Sequence, residues 1–191
     1  MTTSLRWRIM TLQVVLLLVF AFGAGLLMYE SNYITGTVHD QLAAQKITFP
    51  TTSNAEFKAL PASDQQAMRP YAGQQLTTGA QAKVYANNFI AYHLSLVAGG
   101  KTYSQVSAEA RANPHDTALA GQVTTLFQGD MLRGTLLNAY GWGQFGAYLF
   151  LAGIGAAIAA VVVLGTLVFE LALALSRKPV ATSPQRAVGV A

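Results

Sequence analysis

The sequence predicts an all-α protein in which two transmembrane helices flank an extracytoplasmic helical domain. Three observations carry that prediction. Two charge-free apolar runs, 9–29 and 145–169, are each long enough as helices to cross about 30 Å of hydrocarbon at about 1.5 Å per residue. Charged residues make up 10% of the chain, against roughly 25% in an average soluble domain. No stretch alternates apolar and polar residues for long enough to argue a sheet.

The first element is a short tail, 1–8, with Arg6 and Arg8, followed by the first span, 9–29. At the far end the second span and its inner juxtamembrane extension cover 144–176, and the tail 177–191 carries Arg177, Lys178 and Arg186. Between the spans seven basic and seven acidic residues cancel, so the formal charge of +4 resides on the tails once Glu170 is included. By the positive-inside rule both termini are cytoplasmic and 30–143 is extracytoplasmic, as in a multi-pass plasma (inner) membrane protein. Tyr29 and Tyr33 leave the first span, and Tyr140, Trp142, Phe145 and Tyr148 enter the second, as interfacial aromatics do. A competing reading makes the first run a cleaved signal peptide with Ala21-Phe22-Gly23 as its site, but Leu26 to Tyr29 continue the apolar run past it.

Beyond the first span Ile34, Val38 and Leu42 recur every four residues, so the helix runs on out of the membrane to about Gln45. Lys46 to Pro50 reads as extended, because residues before proline avoid helical backbone. Ser53-Asn54-Ala55-Glu56 has capping-box spacing and opens a short turn closed by Pro61, and Ser63 caps a helix through Met68. Ala80 to Ala98 is the strongest soluble helix, stopped by Gly99-Gly100. Tyr103 to Ala112 forms a shorter one ended by Asn113-Pro114. Asp116 caps a run with Leu119, Val123, Leu126 and Phe127 on one side, which Gly129 breaks. Gly141-Trp142-Gly143 and Gly146 read as a flexible joint ahead of the second span. The tail 177–191, with two prolines and little to bury, is expected to be disordered.

Glu170 stands within the apolar run that leads to Arg177. With Tyr29 and Tyr148 level, counting inward brings Arg8 and Glu170 to one height, and an ion pair near the inner interface costs far less than a carboxylate left alone, about 2.5–3.5 kcal/mol on insertion scales at mid-bilayer. The expectation is a structural clasp; an ion pathway is the alternative, for which only Gln13 and Thr166 offer further polar groups. Ala152, Ala156 and Ala160 repeat every four residues, as do Gly153 and Ala157, and Ala21 with Gly25 offers a matching small pair on the first span. Such faces suit packing of the two spans or of a partner's helix.

Little in the chain points to chemistry. There is no cysteine, hence no disulfide or thiolate site. His39, His93 and His115 match no short metal-ligand spacing, so no metal or other cofactor is expected. No Gly-x-Ser-x-Gly elbow occurs, the glycines near 141–146 do not follow a strand as a phosphate cradle would, and the basic residues do not cluster as a nucleic-acid face would.

Tyr71-Ala72-Gly73-Gln74-Gln75, Ala82 to Asn87, Ala98 to Ser107, Thr125 to Gly129, Leu132-Arg133-Gly134 and Ala139 to Trp142 together resemble a group of small actinobacterial membrane proteins of unassigned function. The likeness covers most of the chain. It implies a two-span topology and a lineage, and transfers no active site. The expected role is therefore non-catalytic: an accessory, assembly or scaffold subunit whose partners are the lipid bilayer and other membrane subunits. The alternative is an extracytoplasmic sensor of an unknown small molecule, acting through a partner because the short cytoplasmic tail has no output domain.

Overall fold

The computed structural model describes residues 3–176; the tail 177–191 lies outside them. Seven α-helices follow one another, with no strand among the described residues: α1 (Thr3–Ala44), α2 (Ala55–Ala59), α3 (Ala62–Met68), α4 (Gly79–Val84), α5 (Ala91–Val97), α6 (Tyr103–Ala112) and α7 (Thr117–Ser176). A 3-10 turn, Arg69–Tyr71, follows α3, and a π-helical turn, Tyr85–Ile90, joins α4 to α5. The described residues form two compact units, one of Leu27–Leu151 and one of 3–26 with 152–176. Both long helices contain segments apolar enough to cross a membrane.

In the terminal unit, the residues of α1 shielded from solvent include Arg6, Met10, Gln13, Leu17, Phe20 and Ala24, and those of α7 include Gly153, Ala156, Ala160, Val163, Leu167 and Glu170. Steps that alternate between three and four are the signature of two helices packed along a seam. Ala24 and Ala160 are among its most buried residues.

The middle unit takes Val38 and Leu42 from α1 and Leu136 from α7 into a core with Phe49, Phe57, Leu60, Met68, Leu76, Ala82, Ala86 and Ile90. Helix α1 ends at Ala44, one residue short of the predicted Gln45, and Lys46 just beyond it adopts φ 54, the left-handed conformation that closes helices. The extended residues that follow run back against 73–76, with Phe49 N donating to Gln74 O at 2.9 Å and Leu76 N to Ile47 O at 2.8 Å. This pairing amounts to a single isolated bridge, Thr48 with Gln75.

Local signals place the short helices. Asn54, rather than Ser53, caps α2 by accepting from Glu56 N at 2.8 Å, and Pro61, rather than Ser63, precedes α3. Thr78 and Gln81 form a capping box at the start of α4, and Thr102 and Gln105 form another at α6, whose bounds match the prediction. The single helix predicted over 80–98 is interrupted by the π turn. A π turn holds one more residue than an α turn, and here it lets adjacent asparagines serve different neighbours: Asn88 Nδ2 donates to Asp64 Oδ1 at 2.8 Å, while Asn87 Oδ1 accepts from Arg133 Nη2 at 3.1 Å. Gly99 and Gly100, at φ 60 and 83, provide the stop.

Asp116 caps α7 as expected, accepting from Ala118 N and Leu119 N at 2.9 and 3.0 Å. The predicted break at Gly129 and the joint at 141–146 do not occur, because α7 is continuous through both. Gly129, Gly143 and Gly146 answer a steric demand instead, whereas a Cβ on Gly141 would meet nothing within 4 Å. A Cβ on Gly129 would run into Leu94; one on Gly143 would lie 3.3 Å from Gly79 Cα; one on Gly146 would lie 3.0 Å from Thr35 Cγ2. Glycine here lets neighbouring elements approach at the backbone, at a helix-propensity cost of about 1 kcal/mol each.

Candidate functional site

On the middle unit, α1 and α7 leave an open groove of 660 Å3 between them. Tyr33, Thr37 and Gln41 line it from α1, and Asp130, Met131, Gly134, Asn138 and Trp142 from α7. Its size falls within the range of small-ligand sites. Ser31 fixes the two helices below it: Ser31 is buried, and its Oγ donates to Gly146 O at 2.8 Å. The core side chains Val38 and Ala139 form part of the floor. A second depression of 390 Å3 shares Asn138 and Trp142 with the groove and carries it along α7 to Gly141 and Phe145. Trp142 and Phe145 meet edge to face with ring centroids 6.0 Å apart.

The groove offers both donors, from the amides of Gln41 and Asn138 and the indole of Trp142, and acceptors. Thr37 Oγ1 donates its proton to Tyr33 O and Thr135 Oγ1 to Leu132 O, both at 2.8 Å, which leaves their lone pairs for other partners. Asp130 is exposed and is the charged residue of the lining. Thr37, Thr135 and Asp130 did not stand out in the sequence, and Tyr33 and Trp142 read there only as interfacial aromatics, since the groove exists only through the antiparallel pairing of 33–41 with 130–142.

Away from the groove, the core is crossed by a run of rings. Phe49 lies 5.5 Å from Tyr71 and 5.2 Å from Tyr85, Tyr85 lies 4.9 Å from Phe89, and Phe89 lies 4.4 Å from His93. Burial, followed by the negative charge of Glu56, raises the Tyr85 hydroxyl above its ordinary pKa of 10.0. The neutral phenol is favoured in the fold, so the unfolded chain ionises first. Its contribution to stability is intact below pH 10.0 and is lost as pH climbs through the raised native value. Melting temperature is therefore expected to fall less steeply with alkaline pH in Tyr85→Phe than in the wild type, and equal slopes would count against this account.

The structure rearranges the expected clasp. Glu170 Oε2 accepts from Arg6 Nε at 3.5 Å, whereas Arg8 is exposed. Counting residues fixes depth but not direction: two residues apart on a helix is about 200°, so Arg6 shares the seam with Met10 and Gln13 while Arg8 faces away. In the same seam Gln13 Nε2 lies 3.4 Å from Thr166 Oγ1, and Gln13 Oε1 has no partner. Of the predicted packing residues, Gly153 and Ala160 are buried, and Ala156 and Ala157 are half-buried. Ala21, Gly25 and Ala152 are corrected to the outward face; a Cβ on Gly25 would meet nothing within 4 Å, and Ala24 takes the inward position instead.

Among the described residues no group of three or more histidine, aspartate or glutamate side chains is placed to hold a metal. His93 Nδ1 lies 2.8 Å from Phe89 O within the aromatic run, and His39 Nδ1 lies 3.2 Å from Asp40 Oδ1 on the exposed surface. Compared with models of known protein families, with curated proteins and with solved structures, the chain matches none.

Proposed function

We propose that this chain is a two-span membrane protein with its middle unit outside the cytoplasm, serving as a non-catalytic accessory or assembly subunit of a larger envelope or respiratory membrane complex. One observation carries the membrane reading. The most apolar windows of both long helices are only 6% buried, whereas the core helix of a soluble protein hides such residues. Leu18, Phe22, Val161 and Phe169 are each more than half exposed, on faces that suit lipid. The outward Ala21 and Gly25 offer a shallow face for a partner's helix.

A regulator that binds a ligand outside the cytoplasm and acts through a partner is the second reading. It is favoured by the groove, because the helices that line it are unbroken from the groove into the apolar segments.

The absence of cysteine makes topology directly testable. Ser104→Cys in α6 is expected to react with a membrane-impermeant maleimide in intact cells, and Ser4→Cys only after permeabilisation. Labelling of both in intact cells, or of neither, would overturn the topology. A tagged full-length copy extracted in mild detergent is expected to bring membrane subunits with it at fixed ratio; a lone monomer in every mild detergent would end the accessory-subunit reading.

A further inference from the structure

We infer that the groove of the middle unit binds a membrane amphiphile with an ammonium head and an apolar chain, an inference that rests on the membrane reading above. Three features specify the ligand. First, the groove is graded. Its outer end holds Asp130 and Gln41, and along α7 it passes Asn138 to reach Trp142 and, through the adjoining depression, Phe145. Asp130 to Phe145 spans about 22 Å of helix, comparable to a lipid head with much of one chain. Second, the apolar end is where α7 enters its long charge-free segment, so a chain lying on Trp142 and Phe145 stays continuous with the hydrocarbon. A soluble ligand would gain nothing from that continuity, and a partner's helix would bring backbone and side-chain bulk along the whole track.

Third, the polar atoms select the sign of the head. No lysine or arginine lines the groove, the hydroxyls of Thr37 and Thr135 face it as acceptors, and the carboxylate of Asp130 supplies the only formal charge. An ammonium group can donate to all of these and is attracted by the carboxylate, whereas an anionic head would meet that carboxylate with no positive charge in the lining to offset it, only the neutral amides of Gln41 and Asn138.

The protein carries its own reporter. With Trp7→Phe, Trp142 is the remaining tryptophan, and it is 54% exposed. The full chain is reconstituted into phosphatidylcholine bilayers containing graded amounts of brominated phosphatidylethanolamine or brominated phosphatidylglycerol, and Trp142 quenching is measured. Quenching by the ethanolamine lipid is expected to saturate at a several-fold lower mole fraction than by the glycerol lipid. Asp130→Asn should remove that preference. Gly134→Leu should abolish the saturable component in both, because a Cβ at Gly134 meets no atom within 4 Å, so a side chain there projects into the groove from an unobstructed position.

Equal titrations for the two lipids, or an unchanged preference in Asp130→Asn, would overturn the inference, as would a groove shielded from both lipids by a co-purifying polypeptide. Failure of the protein to enter bilayers would overturn the membrane reading itself, so the two failures are distinguishable. Circular dichroism and melting of each variant confirm that lost quenching reflects the groove and not the fold.

Discussion

Phe57→Ala is expected to destabilise the middle unit by about 3–5 kcal/mol, the cost of removing a large ring from a packed interior. The loss is large against the 5–15 kcal/mol that a whole domain of ordinary size has to spare. Phe57 is 1% exposed and sits on the five-residue helix α2, far too short to hold itself together in water. That helix persists because its ring is buried beside Leu60 and Met68, and because Tyr92 Oη donates to Ala59 O at 2.9 Å at its end. Removing the ring takes away the main reason for α2 to dock. With no cysteine in the chain, no disulfide is present to limit the unfolded state. Thermal unfolding of the full chain in mild detergent, followed by near-ultraviolet circular dichroism, should show the loss. A variant that melts within a few degrees of the wild type would mean that the core tolerates the cavity and that α2 is held by something other than Phe57.

Much of the secondary structure was legible because caps and stops are local. Asp116 at α7, Gly99 and Gly100 after α5, and the limits of α6 follow from residues within four positions of each boundary. The stripe of Val38 and Leu42 likewise announced that α1 outlasts its apolar run. The Thr78/Gln81 and Thr102/Gln105 capping boxes were missed in the sequence, although their Thr-x-x-Gln spacing is a local signal of the same kind.

What stayed hidden depends on residues distant in sequence. Gly129 reads as a break until Leu94 is seen lying over it, and Gly143 reads as a hinge until Gly79 is found against its backbone. The choice of Arg6 over Arg8 for Glu170 depends on which way a helix is turned, and apolar side chains all around that helix give only a weak signal of direction. The groove is the extreme case. Thr37 and Asn138 are ordinary residues of two separate helices, and only their antiparallel pairing turns them into one surface.

The glycines of α7 allow the sharpest test, since the same substitution should act with opposite sign at two of them. Gly146→Leu is expected to destabilise the pairing of α1 and α7 in the middle unit by about 2–5 kcal/mol. A side chain there is forced against Thr35 Cγ2 at 3.0 Å and Ile34 Cγ2 at 3.4 Å, both part of a neighbouring helix that can yield only by moving away. Overpacking of this kind costs about 1–3 kcal/mol. Separation would also strand the buried Ser31 hydroxyl, which now donates to Gly146 O at 2.8 Å, for a further penalty of about 1–3 kcal/mol. Gly134→Leu, three turns earlier in the same helix, meets open space and should gain up to about 1 kcal/mol from leucine's better helix propensity. Melting temperatures of the two variants should therefore fall on either side of the wild type. If Gly146→Leu melts with or above Gly134→Leu, the close crossing at Ser31 and Gly146 does not exist in the folded protein, and the groove that this crossing holds at fixed width would have no firm floor.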